Sequence, residues 1–172
     1  MEYLSVSNKE AWRLLGSGGV VLVCSASVEG VANLAPVAWV SPLDYEPVSR
    51  VLFVCDPGHL TLANIRATGH FALALPCHGQ KGMVEAAGST SGRAGPKYEA
   101  LGIDSFPGSE IPVRIPLGVA GWLECRLIEV IDRGTACIVT GEVVHCQAIR
   151  DAWKQRLHLA SDDSWYRPQP LE

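Results

Sequence analysis

Residues Val119–Gln147 read VAGWLECRLIEVIDRGTACIVTGEVVHCQ, and this stretch decides the fold class. Two runs rich in Val, Ile, Leu and Thr, Val119–Ile131 and Thr135–Gln147, flank the turn Asp132-Arg133-Gly134. Glycine readily supplies the positive φ that a tight hairpin turn needs, so two long antiparallel strands are expected here. Toward the N-terminus, Phe71–Leu75 is a further strand stopped by Pro76, and Val51–Cys55 is another. Thr61–Thr68 has helical spacing, with Leu62 and Ile65 on one face and Gly69 as its stop. Gly19–Ser27 and Val31–Ser41 read as a β-branched hairpin turning at Glu29-Gly30. Pro42–Pro47, with a proline at each end, reads as a loop. Ser7-Asn8-Lys9-Glu10 opens a short helix through Leu15, ended by Gly16. From Cys77 to Gly118 the chain is rich in Gly, Ser and Pro, with short helices expected at Gly82–Ala87 and Lys97–Leu101. The tail beyond Arg150 reads as polar with a few aromatics.

Strands this apolar are buried on both sides, and the helices are too few to cover a parallel sheet. The fold class is therefore mainly β: an antiparallel sheet closed, or nearly closed, into a barrel that hides its edges, with a few short peripheral helices. The length of 172 residues suits one domain spanning 1–172, and neither an internal repeat nor a linker divides it.

Composition narrows the function classes. The chain is 48% hydrophobic and 19% charged, with 17 glycines, 11 prolines and a net charge of −4. Without a basic cluster to displace counterions, nucleic acid is not an expected partner. No apolar run approaches the roughly 18 residues of a membrane span, and Met1–Gly16 lacks the pattern of a secretory signal. The six cysteines form no C-x-x-C pair and most lie in apolar runs, so reduced thiols and a cytoplasmic location are expected. The five histidines show no metal-ligand spacing.

Three segments could carry chemistry. Gly88-Ser89-Thr90-Ser91-Gly92-Arg93, with Lys97 four residues on, concentrates hydroxyls, flexible backbone N–H groups, a guanidinium and an ammonium suited to phosphate. Taken alone, a solvated Ser/Gly turn is the commoner reading. Asn33–Ser41 contains Pro36, which places it at an edge or bulge, with backbone groups available to a flat heteroaromatic ring or with Trp39 simply in the core. Thr61 and Asn64 share a helix face and could reach a polyol or phosphate, or Thr61 could cap the helix. A G-x-G-x-x-G motif and a P-loop are both missing, and a hydrolase elbow fails because Thr90 stands at its centre.

In this order, the segments resemble the flavin reductase-like family of FMN-binding split barrels, which includes flavoredoxin. The resemblance runs from Val20 to Val144. It is carried by Asn33–Pro42, His59–Ile65, Thr68–Phe71, Gly88–Arg93 with Lys97-Tyr98, Leu123-Glu124-Cys125 and Gly141–Val144. It implies a Greek-key split barrel that dimerises and holds FMN near the subunit boundary. Ala38, Trp39, Val40 and Ser41 would line the flavin ring, and Thr61 and Asn64 would hold the ribityl-phosphate portion. Ser89, Ser91, Gly92, Arg93 and Lys97 would bind the phosphate. The implied activity is FMN-dependent oxidoreduction, either as a flavin reductase fed by NAD(P)H or as a flavoredoxin-like carrier serving a redox partner protein. A non-catalytic flavin-binding or sensing module is the alternative. No side chain is expected to act as a catalytic acid or base, because the chemistry belongs to the flavin. Pro96 departs from the pattern, since relatives carry an acidic residue there; Pro47-Val48 and Gly58 depart too, as does the ending from Leu157-His158-Leu159 to Trp165-Tyr166.

Overall fold

The computed structural model describes residues 18–160 and 163–169; the helix expected over Ser7–Leu15 lies outside the described residues. In chain order the strands and helices begin with β1 (Gly18–Gly19), β2 (Val21–Ala26), β3 (Ala32–Val37), β4 (Val40–Asp44) and β5 (Arg50–Cys55). Helix α1 (Leu60–Thr68) leads to β6 (His70–Leu75), and α2 (Lys81–Ser89) is followed by α3 (Lys97–Ala100). A small hairpin, β7 (Ser105–Pro107) with β8 (Arg114–Pro116), precedes the long strands β9 (Gly121–Asp132) and β10 (Cys137–Ala148). Helix α4 (Ala152–Gln155) and the short strands β11 (His158–Leu159) and β12 (Trp165–Tyr166) complete the order.

The β9–β10 hairpin is as expected from its sequence. Gly134 adopts φ +81°, and its N–H donates to Asp132 Oδ1 at 2.7 Å. The two strands form the centre of a seven-stranded antiparallel sheet ordered β3-β2-β6-β9-β10-β5-β4. Register shifts beside Gly141 and His145 bend β10. At Gly141 a Cβ would lie 2.5 Å from the Phe71 ring, so only glycine lets that ring close on the strand.

The apolar runs are explained by two cores, one on each face of β2. Val21 and Val23 enter a cluster with Phe53, Phe71, Leu73 and Val139, while Leu22 and Cys24 join Leu34, Ala74, Val84, Tyr98 and Ile115. Phe53 and Phe71 meet edge to face at 5.2 Å. Helix α1 adds Leu62 and Ile65 to the first cluster, whereas α2 adds Val84 and Ala87 to the second. Four of the cysteines, Cys24, Cys55, Cys125 and Cys137, are buried free thiols acting as small core residues. Burial pushes the Cys24 thiol up to about 12, which keeps it protonated and unreactive.

Some local expectations are corrected. The run Val31–Ser41 is not one strand: it breaks at Ala38-Trp39 into β3 and β4, the two edges of the sheet. Pro42 lies inside β4 rather than in a loop, which an edge strand tolerates because its outward side needs no ladder donor. Helix α2 runs through Gly88 and Ser89, so those two residues are helical. The tail folds back, β11 pairing with β1 and β12 with β11. Pro96 sits before α3 with φ −64°, where its ring fits the entry to a helix.

Glu124 ties the β7–β8 segment to the sheet. Its carboxylate is fully buried and accepts the N–H groups of Ser109, Glu110 and Ile111 at 2.8, 2.7 and 3.1 Å. Trp122 Nε1 donates to it at 3.0 Å, and the Trp122 ring packs edge to face on Phe106 at 5.0 Å.

Candidate functional site

Edge strand β3, the start of α1, and the segment from the end of α2 to α3 enclose a cleft of about 340 Å³. Asn33, Pro36, His59, Thr61, Ser89, Ser91, Gly92, Arg93 and Lys97 line it. Three segments far apart in the chain meet there because β3 carries α1 at one end and α2 along its side.

The cleft is built to attract an anion. Among the described residues, no Asp or Glu lines it, although the chain as a whole has a net charge of −4. Helix α1 points its N-terminus into it: His59 is the N-cap with no side-chain capping bond, and the first turn holds no acidic residue. The leading N–H groups and the positive end of the helix dipole therefore face the cleft without compensation. Ser91 starts a short 3-10 turn, Gly92–Ala94, by accepting the Arg93 N–H on Oγ at 3.3 Å. The Arg93 guanidinium donates to the Gly58 carbonyl at 3.1 Å, linking the two walls.

Lys97 is the least expected feature. It is buried, and its ammonium donates to the carbonyls of Leu34 and Ala87 at 2.9 and 2.8 Å, joining β3 to the last turn of α2. Among the described residues no carboxylate pairs with it. Burial holds its pKa below the usual lysine range, so a bound anion would relieve the desolvation of this charge. Ser89 turns its hydroxyl back onto the helix, toward the carbonyls of Glu85 and Ala86 at 3.0 and 3.2 Å.

Of the residues singled out from the sequence, the cleft gathers Thr61, Ser89, Ser91, Gly92, Arg93 and Lys97. Asn64 faces away from it and donates to Ser25 Oγ at 3.3 Å in the interior. Ala38 lines a smaller neighbouring hollow of about 220 Å³ with Val20, Val37, Val84, Leu159 and Trp165, and Glu85 also borders it; this hollow shares Pro36 and Gly88 with the cleft. Trp39, Val40 and Ser41 line neither, and Trp39 is half exposed at the break between β3 and β4. Asn33 and His59, both within motifs quoted above but neither among the expected site residues, line the cleft as well.

A larger hollow of about 670 Å³ lies by Val31 and Tyr98. Glu29, Glu99 and Asp104 line it against Arg114 alone, so its field disfavours an anion. No group of three or more His, Cys, Asp or Glu side chains among the described residues could hold a metal ion.

The family model described as flavin reductase-like domain matches residues 15–164. The crystal structure of flavoredoxin from Methanosarcina acetivorans is similar with a TM-score of 0.85 at 22% identity, covering 100% of this chain and 94% of that one. An FMN-binding protein from Thermus thermophilus, solved with p-hydroxybenzaldehyde, gives 0.83 at 24% identity, over 98% and 95% of the two chains. An NADH:FAD oxidoreductase of Streptomyces globisporus gives 0.85 at 17% identity, over 99% and 100%. These likenesses bear out the antiparallel split barrel, and with the match over most of its length the chain belongs to the flavin reductase-like domain family.

Proposed function

We propose that the protein is an FMN-dependent oxidoreductase whose cleft holds the FMN phosphate. One observation carries the reading: two cations, Arg93 and Lys97, and an uncapped helix N-terminus converge on a cleft lined by no acidic residue among the described residues. A phosphate dianion supplies the charge that the buried Lys97 lacks, and Ser91 and Thr61 offer hydroxyls to its oxygens. The residues present therefore fit a phosphate-bearing group. The adjoining hollow by Ala38, Leu159 and Trp165 offers apolar walls suited to a flat ring. Bound FMN would supply the hydride- and electron-accepting chemistry. The chain binds the phosphate, orients the ring and shields it from water.

The same reading includes a homodimer. Leu43 and Tyr45 are exposed on or beside β4, an edge strand of the sheet among the described residues, and a second copy would cover this apolar edge. Sedimentation equilibrium should give twice the chain mass; a monomer at micromolar concentration would count against it.

Purified protein should take up FMN with a visible flavin spectrum, and Arg93→Ala should weaken that binding roughly 10- to 100-fold, the range for a hydrogen bond to a charged group. Fluorescence titration checks this, and unchanged affinity in the variant would remove Arg93 from the phosphate site. Anaerobic mixing of the loaded protein with NADH or NADPH then separates the two forms of the activity. Rapid bleaching supports a flavin reductase, whereas a stable yellow colour supports a carrier that takes electrons from a protein partner.

A further inference from the structure

A buried polar quartet adjoins the cleft, with two of its members in the lining. Ser25 and Asn33 oppose each other across β2 and β3, and Thr61 and Asn64 lie three apart on α1. Asn33 Nδ2 donates to Thr61 Oγ1 at 3.0 Å, while Asn64 Nδ2 donates to Ser25 Oγ at 3.3 Å. All four side chains are at least 96% buried.

The two bonds are not equivalent. Ser25 and Asn64 lie away from the cleft, whereas Asn33 and Thr61 both line it. In the cleft-side pair, Thr61 Oγ1 is already occupied as an acceptor, so its own proton must point elsewhere. No acceptor among the described residues receives that proton. Asn33 Oδ1 is buried with no donor, beneath Gly92, at the spot a Cβ on Gly92 would overlap. A docking contact alone would favour an amide satisfied at both ends, because an empty buried acceptor costs stability.

We propose that Asn33 is a positioning residue for the phosphate-bearing ligand: by donating to Thr61 Oγ1 it makes the Thr61 hydroxyl a donor for the anion in the cleft. The inference rests on the FMN reading above and adds to it a residue that acts through Thr61. The opposite amide orientation would engage the Thr61 proton with Asn33 and withdraw it from the ligand.

A double-mutant cycle tests it, with FMN and riboflavin as probes, since riboflavin lacks the phosphate. Thr61→Val and Asn33→Ala should each weaken FMN binding about tenfold, a hydrogen bond to a charged acceptor. Riboflavin affinity should stay within about twofold, and the double variant should be no worse than the weaker single, as coupled residues require. Ser25→Ala, which removes only the other bond of the quartet, should leave both affinities unchanged. Losses that multiply in the double variant, or that are equal for FMN and riboflavin, would overturn the proposal and leave Asn33 a docking residue. Failure of the wild-type protein to bind FMN would instead overturn the functional reading on which it rests.

Discussion

A Glu124→Ala variant should lose about 3 kcal/mol of unfolding free energy, measured by urea denaturation. A buried donor left without an acceptor costs about 1–3 kcal/mol. This buried carboxylate serves three N–H groups of the partly exposed 109–111 segment and the half-buried Trp122 indole. Water entering as the 109–111 segment loosens would recover part of that, so the net loss is smaller than the sum. The same residue sets an acid limb. Burial would raise its pKa, but the donors from Ser109, Glu110, Trp122 and Ile111 outweigh burial and hold it below the ordinary 4.5. A group whose folded pKa is depressed stabilises above its unfolded pKa and loses that contribution as pH falls through the folded value. Wild-type stability should therefore fall relative to a Glu124→Gln variant below about pH 4.5, and parallel curves would show that the carboxylate is not what binds the segment.

The second large effect is expected at Gly92. An added Cβ would overlap Asn33 Oδ1 and sit 2.9 Å from Leu60 Cδ2. Leu60 Cδ2 ends a half-buried side chain and can swing aside, but the Asn33 amide cannot retreat easily, being buried and held by Thr61 at 3.0 Å. Overpacking of this kind costs about 1–3 kcal/mol. Here that strain would push the Gly92–Ala94 turn away from the cleft, taking Ser91 and Arg93 with it. Gly92→Ala should then weaken FMN binding roughly 5- to 150-fold in titration. Gly88→Ala is the milder comparison, since its Cβ would meet only Pro36, with Cγ at 3.1 Å. If the two variants bind FMN equally well, the turn is not held in place by its closeness to Asn33.

The local pattern made much of this protein legible. Strands β2, β5, β6, β9 and β10 and helix α1 follow apolar periodicity, and their stops at Gly69, Pro76 and Gly134 are set by the conformations those residues allow. The anion-suited composition of Gly88–Lys97 was also readable, because hydroxyls, a guanidinium and an ammonium announce their chemistry wherever they are placed. The order of the motifs then pointed to the family that the match over residues 15–164 bears out.

What each polar side chain contacts was decided by the tertiary structure. Thr61 and Asn64 share a helix face in the sequence, yet register on β2 and β3 turns one to the cleft and the other to Ser25. Lys97 reads from the sequence as a phosphate contact, and only the packing of α2 on β3 shows that it is buried against two carbonyls. Glu124 lies in a strand whose pattern gives no sign of the 109–111 backbone it secures. Periodicity and turn chemistry act over a few residues, so the sequence by itself determined the elements and the family. Hydrogen-bond partners and burial depend on groups 10 to 63 positions apart, and only the folded sheet brings those together.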